Sequence, residues 1–272
     1  MLRAHHVPPF VRMLLGAMLL AFQCGSAIAG AFPRAEKESQ IISTWLFNGS
    51  SVAFNAQGLL IPVTRYRVHE WSTLLEYGYD SETTLIFKTA LQRVESAWLG
   101  PSSVSGFGHV EAGLLRRLAV YKDVSFSLQG LVRIPGSFDR RFAHDNPGQA
   151  EARLAVGTPF SFFPDGFLTI KGFVETSGAW VRRSGAMPDE FRADATLGLQ
   201  SSERVMVLYQ LFSAWGLQKS PWGGRPNSHK AQTSIVYSLT PDWRLQAGFF
   251  ASFAGAHARY ERGYLTALWR RF

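Results

Sequence analysis

Five histidines follow residue 30: His69, His109, His144, His229 and His257. Hydrolysis at a membrane surface needs a serine within reach of a histidine base, and that base needs an acid or amide to orient it. "VHEWS" holds His69 and Ser72 three residues apart, and "NSHK" holds Ser228 beside His229. In extended chain such odd spacings send the two side chains to opposite faces, so neither pair meets within its own strand. "HVEAG" puts His109 and Glu111 on one face, as an ion pair or as a base with its orienter, but no serine accompanies them. We read that pair as ordinary polarity of an inner face, and expect no catalytic residue. "FDRRFAHDNPG" offers Asp139, His144 and Asp145, donors that surface calcium sites use, without the spacing of an EF-type loop. No metal site and no cofactor are expected.

The cysteine content narrows the chemistry further. The single cysteine, Cys24, lies in a leader that begins "MLRAHHVPPFVR", continues with the apolar run Met13–Phe22 and reaches the small-x-small triplet Ala27-Ile28-Ala29. This is the pattern of a secretory signal peptide, residues 1–29, with cleavage before Gly30. The apolar run is too short to span a bilayer, which takes about 20 residues. The expected mature chain, residues 30–272, therefore carries no disulfide, thiolate metal site or cysteine nucleophile. Its basic excess, reduced from +8 by the loss of Arg3 and Arg12, is scattered and forms no basic patch, so nucleic acid is not an expected partner.

The elements that must hold these residues read as strands. "EFRADATLGLQ" sets Phe191, Ala193, Ala195, Leu197 and Leu199 against Glu190, Arg192, Asp194, Thr196 and Gln200. "VSFSLQGLVRI" and "WRLQAGFFASF" alternate in the same way, and a period of two means one apolar and one polar face. Twelve strands are expected, near 39–47, 66–79, 84–92, 108–120, 124–134, 149–158, 167–177, 190–200, 205–216, 228–239, 243–253 and 260–272. The first is the least regular, because "QIISTWLF" does not alternate strictly.

Connections after even strands are short ("DSET", "YKD", "FSFFPDG", "SSER", "TPD"), whereas those after odd strands are mostly long: 48–65, 93–107, 135–148, 178–189 and 217–227. Short and long connections alternating along an even number of antiparallel strands define an all-β, up-and-down transmembrane barrel of the bacterial outer membrane. Both termini would then be periplasmic. The polar faces carry Glu70, Glu76, Lys88, His109, Glu111, Arg133, Glu151, Arg153, Arg192, Asp194, Lys230 and Arg244, the candidate lumen-lining residues. The opposite faces are nearly free of charge, as lipid demands: an Arg or Lys at the bilayer midplane costs roughly 2–4 kcal/mol. Trp71, Tyr77, Tyr79 and Trp243 are expected to mark the periplasmic girdle. Trp98, Trp180 and Trp222, with Arg182, Arg183 and Arg225, are expected to form an outer one near lipopolysaccharide phosphates. Paired charges could brace a narrow lumen or line a small channel.

The chain ends "YLTALWRRF", an alternating strand closed by an aromatic, with Tyr264, Leu268 and Phe272 on one face. It resembles the signal read by the outer-membrane barrel-assembly machinery, which makes that machinery, together with outer-membrane lipid and lipopolysaccharide, an expected partner. "EYGYDSETTLIFKTALQRV", "GFGHVEAGLLRRL", "LVRIPGSFDRR", "GQAEARLAVG" and "HKAQTSIVYSLTPDWRLQAGFFASFAG" resemble segments of XagA-like outer-membrane proteins and, more distantly, the MetA-type barrels associated with phenol degradation. The first resemblance implies a non-catalytic barrel linked to production or export of an adhesive surface polysaccharide, with polysaccharide as partner. The second implies a channel for uptake of small hydrophobic or aromatic compounds. A surface hydrolase acting on lipid or lipopolysaccharide is the rival from another class.

Overall fold

The computed structural model describes residues 30–96, 103–137, 148–162, 170–185, 187–220 and 223–272. The leader, Cys24, Trp98, Asp139, His144, Asp145 and Trp222 lie outside them. Thirteen strands form one sheet: β1 (Ser39–Phe54), β2 (Leu60–Gly78), β3 (Thr83–Ser96), β4 (Ser103–Tyr121), β5 (Val124–Pro135), β6 (Gln149–Phe162), β7 (Ile170–Arg183), β8 (Glu190–Gln200), β9 (Val205–Gly216), β10 (Asn227–Ser238), β11 (Trp243–Ala256), β12 (Ala258–Arg259) and β13 (Arg262–Arg271). Each pairs antiparallel with its neighbour. β1 pairs with both β2 and β13, so the sheet closes into a twelve-strand barrel, β12 being a two-residue offshoot of the last strand. Closure removes the edges that hydrocarbon could not solvate.

The alternation survives on the outside. Leu85, Phe87, Leu114, Leu128, Val132, Ile134, Leu154, Leu211, Ile235, Phe249 and Leu268 are all exposed. They lie outward on strands whose other face is buried, so the barrel presents an apolar belt. The inner face is mainly polar, with buried apolar residues such as Val68, Val94, Val236 and Phe250 among them. Ile42, Leu74, Ile86, Leu115, Leu131 and Ala267 form an apolar cluster inside the wall, with Trp269 against it. That cluster explains the irregular first strand: β1 is apolar outward through Ile41 and Trp45, and inward through Ile42 and Leu46.

Boundaries differ from expectation mainly where the long connections lie; at the other end β6 runs on to Phe162 in place of 158 and β7 begins at Ile170 in place of 167. The short turns, the start of β1 and the C-terminus share one end, here the terminus end, where Ser39 and Phe272 exchange main-chain hydrogen bonds of 2.8 and 3.0 Å. At the opposite, loop end the strands run on. β1 and β2 reach Phe54 and Leu60, leaving Asn55–Leu59 as the turn in place of a loop over 48–65. Trp71 also departs from its expected place in the terminus-end girdle. It lies well inside β2, paired with Trp45 and Leu91, while Tyr77 and Tyr79 are exposed at that end.

Candidate functional site

The residues ahead of β1 are not a tail. Gly30–Glu38 crosses the lumen at the terminus end, from the β1–β3 wall to the β5–β7 wall. At its start Gly78 N–H donates to the Glu38 carbonyl at 2.9 Å, and Lys37 N–H donates to the Gly78 carbonyl at 2.8 Å with Lys37 at φ 66°. Arg34 reaches Glu76 at 2.7 Å, and its backbone N–H donates to Thr84 Oγ1 at 2.8 Å. Across the lumen, the Ala31 carbonyl accepts from Ser125 and Ser127, each at 2.8 Å, and the ring of Phe32 meets Phe173 edge-on. Two glycines leave room for this strap. A Cβ at Gly157 would fall 2.7 Å from that of Ala31, and one at Gly78 would collide with the Ala35 carbonyl.

Above the strap the wall is ion-paired. On β6–β8, Arg153 bonds Glu151 (2.8 Å), Asp194 and Ser177 (2.7 Å); Arg192 bonds Glu151 (2.8 Å) and Glu190 (3.0 Å); Arg183 bonds Glu190 (2.6 Å). Register builds this ladder, since residues opposite one another on adjacent strands share a face. Arg183 departs from its expected place beside Arg182 in an outer girdle: at the end of β7 Arg182 faces out and Arg183 in.

The other candidate lumen residues are distributed around the same inner face. Glu70 accepts from Gln92 at 2.7 Å and Glu76 holds the strap. Lys88 is buried opposite Glu111 in the β3–β4 register. Arg133 donates to His109 Nδ1 at 2.8 Å, which leaves the imidazole proton on Nε2, 3.5 Å from Glu111. A bulge at Gly108–His109 turns this imidazole inward. Lys230 pairs with Glu261, a residue the alternation did not single out because it sits in the break between β12 and β13. Glu261 also accepts from Tyr66 (2.5 Å) and Asn48 (3.0 Å). Arg244 is half-buried beside Gln246 on the inner face.

Two features face outward. His229 and Ser213 meet across β9–β10 at 3.0 Å, flanked by the rings of Trp215 and Phe253. This pairing spans two strands and was invisible to spacing within one. Among the described residues no carboxylate or amide contacts His229 to orient it. Ser72 and His69 fall on opposite faces of β2. Beside the β3–β4 bulge lies an outward pocket of about 420 Å³ lined by Trp45, Trp71, Leu91 and Phe107, with Glu70 and Gln92 at its inner side.

Apolar belt, polar inner face and full closure define a twelve-strand barrel of the membrane-spanning kind. No protein-family model matches the chain, and no curated protein matches it in sequence. Solved structures do. The COG4313 outer membrane channel from Pseudomonas putida F1 superposes with a TM-score of 0.67 at 15% identity, over 89% of this chain and 98% of that one. The translocator domain of autotransporter NalP from Neisseria meningitidis gives 0.51 at 12% identity over 95% and 96%. The NanC porin gives 0.50 at 6% identity over 83% and 98%. At these identities the likeness is one of fold.

Proposed function

We propose that the protein is an outer-membrane channel of low conductance, without catalytic activity, that admits small apolar or aromatic compounds. Its termini and strap face the periplasm, as the short-turn end does in barrels of this kind. The observation that carries this reading is the outward pocket: two tryptophans, a leucine and a phenylalanine at lipid level, with Glu70 and Gln92 of the inner face at its edge. Aromatic side chains in such a cluster favour stacking with small rings over binding extended polar chains. The ion-paired wall supports a narrow passage, because Arg153, Arg183 and Arg192 are each held by carboxylates along β6–β8. Trp45→Ala/Trp71→Ala should weaken quenching of the remaining tryptophan fluorescence by naphthalene about tenfold and slow its entry into liposomes. Unchanged entry would overturn the aromatic reading, and absence of any conductance in planar bilayers would overturn the channel.

Linkage to an adhesive surface polysaccharide rests on the resemblance to XagA-like proteins, and loss of biofilm on deleting the gene would support it. The hydrolase has one observation in its favour, the His229–Ser213 contact. A fluorophosphonate probe should leave Ser213 unmodified in the folded barrel; labelling abolished by Ser213→Ala would instead establish an enzyme.

A further inference from the structure

Glu175 is a buried carboxylate on the inner face of β7 whose cationic neighbours are already engaged. Arg153 is held by Glu151 and Asp194, Arg192 by Glu151 and Glu190, and Arg183 by Glu190. Among the described residues Glu175 has no ion pair. Its partner is the strap's main chain: Gly30 N–H donates to Oε1 at 2.7 Å, and the Ala31 amide approaches the same group. Oε2 is buried with no hydrogen-bond donor. A carboxylate left in that state is costly, and natural interiors seldom tolerate it.

The residue that meets Glu175 is the one after Ala27-Ile28-Ala29, the triplet a signal peptidase would cut. We propose that hydrolysis of the Ala29–Gly30 bond completes this site, so that the new α-ammonium of Gly30 pairs with Glu175 and latches the strap across the barrel mouth. Water adds across the amide under signal peptidase. Ala29 leaves as a carboxylate, and the Gly30 nitrogen takes up a proton. One neutral N–H becomes three N–H donors and a full positive charge, facing two carboxylate oxygens of which one lacks a donor. The pocket also suits a chain start. Gly30 is buried, Ala31 is fully buried, and Gly157 is notched to let Ala31 pass. Processing thus becomes a condition for closing the mouth.

The full-length chain is expressed, secreted and extracted from the outer membrane, and intact mass and N-terminal sequencing are read first. Gly30 should be the first residue; any other start overturns the proposal. Acetylation at pH 7 by an N-hydroxysuccinimide ester then reports the α-amine, whose ordinary pKa of about 8 sets it apart from lysines at about 10.4. In the folded barrel Gly30 should react about tenfold or more slowly than in urea, one factor of ten being a single pKa unit of interaction. In folded Glu175→Gln it should approach the urea rate. Equal rates in folded and unfolded wild type, or full protection retained in Glu175→Gln, would each overturn the latch. A second arm leaves Glu175 in place: chains refolded with and without one methionine ahead of Gly30 are exposed to trypsin. Cleavage after Arg34 should be about tenfold faster in the extended chain, and equal rates reject the latch. Conductance is scored separately, so a protected amine in a non-conducting barrel would reject the channel and keep the latch.

Discussion

The two ends of the barrel are secured in opposite ways. At the terminus end the strap is held by many separate bonds on several strands: Arg34 to Glu76, the Arg34 amide to Thr84, Ala31 to Ser125 and Ser127, and Gly30 to Glu175. At the loop end a single carboxylate, Glu261, gathers Asn48 from β1, Tyr66 from β2 and Lys230 from β10, while its backbone N–H donates to Ser252 of β11 at 3.0 Å. The first arrangement spreads its energy and the second concentrates it. One substitution should therefore cripple the loop end, whereas the terminus end should degrade in steps.

Glu261→Ala tests the concentrated end and should have the largest effect. It removes the carboxylate that a buried ammonium and two buried donors share, a loss of about 3–5 kcal/mol for breaking a buried pair. Urea unfolding of the barrel in lipid should show it. The double variant Lys230→Met/Glu261→Met removes both charges, and most of that loss should return. If the double variant is as unstable as the single one, Glu261 acts through packing and not through charge.

Arg153→Met comes next. It leaves Glu151 and Asp194 without their shared partner on a wall where charges are only part-buried, so roughly 2 kcal/mol is expected. The clearer readout is ionic. Asp194 loses its cation while Glu151 keeps Arg192, so the reversal potential in a salt gradient should shift toward cation selectivity, and an unchanged potential would mean that this ladder lies off the conducting path.

How much of this the sequence carried depends on what each feature answers to. Strand membership was legible because lipid requires an apolar residue at every second position, as in "EFRADATLGLQ". Strand ends at the loop side were not. In "GSSVAF" pairing continues past Phe47 into a region where no lipid enforces alternation, so the period fades while the hydrogen bonds do not. That Arg153, Arg192, Glu151 and Asp194 share a face followed from parity, but which acid meets which arginine is fixed by register. Glu261 was missed because it sits in a break between strands, and the His229–Ser213 contact because it joins two strands. The strap left no trace in "GAFPRAEKE", which has no period and whose first residue bonds a partner 145 positions away.

Arg34→Ala probes the distributed end. The pair with Glu76 is mostly buried, yet the strap keeps its other anchors, so only about 1–2 kcal/mol should be lost. Single-channel conductance should rise more visibly than stability falls, since one contact fewer lets the strap leave the mouth more often. Conductance equal to wild type would mean that the strap does not lie on the conducting path.

The smallest expected effect lies in the turns that close the terminus end. Asp80 caps the β2–β3 turn, its Oδ1 accepting from the N–H groups of Glu82 and Thr83 at 2.8 and 2.7 Å. The Glu82 amide, with help from Thr83, holds the Asp80 carboxyl below its ordinary value of 3.8. Because the folded pKa is the lower one, the ionised form favours folding. This contribution is fully present above the unfolded pKa near 3.8 and is lost as pH falls through the folded pKa. Asp80→Asn should therefore flatten the acid limb of the stability curve below pH 3.8 and change little at neutral pH, where the amide oxygen can still accept from both N–H groups. An acid limb unchanged by the substitution would assign the pH dependence to the ion pairs inside the barrel. Both ends would then respond to acid through their buried carboxylates, and the distinction between a distributed and a concentrated closure would have to rest on Glu261 alone.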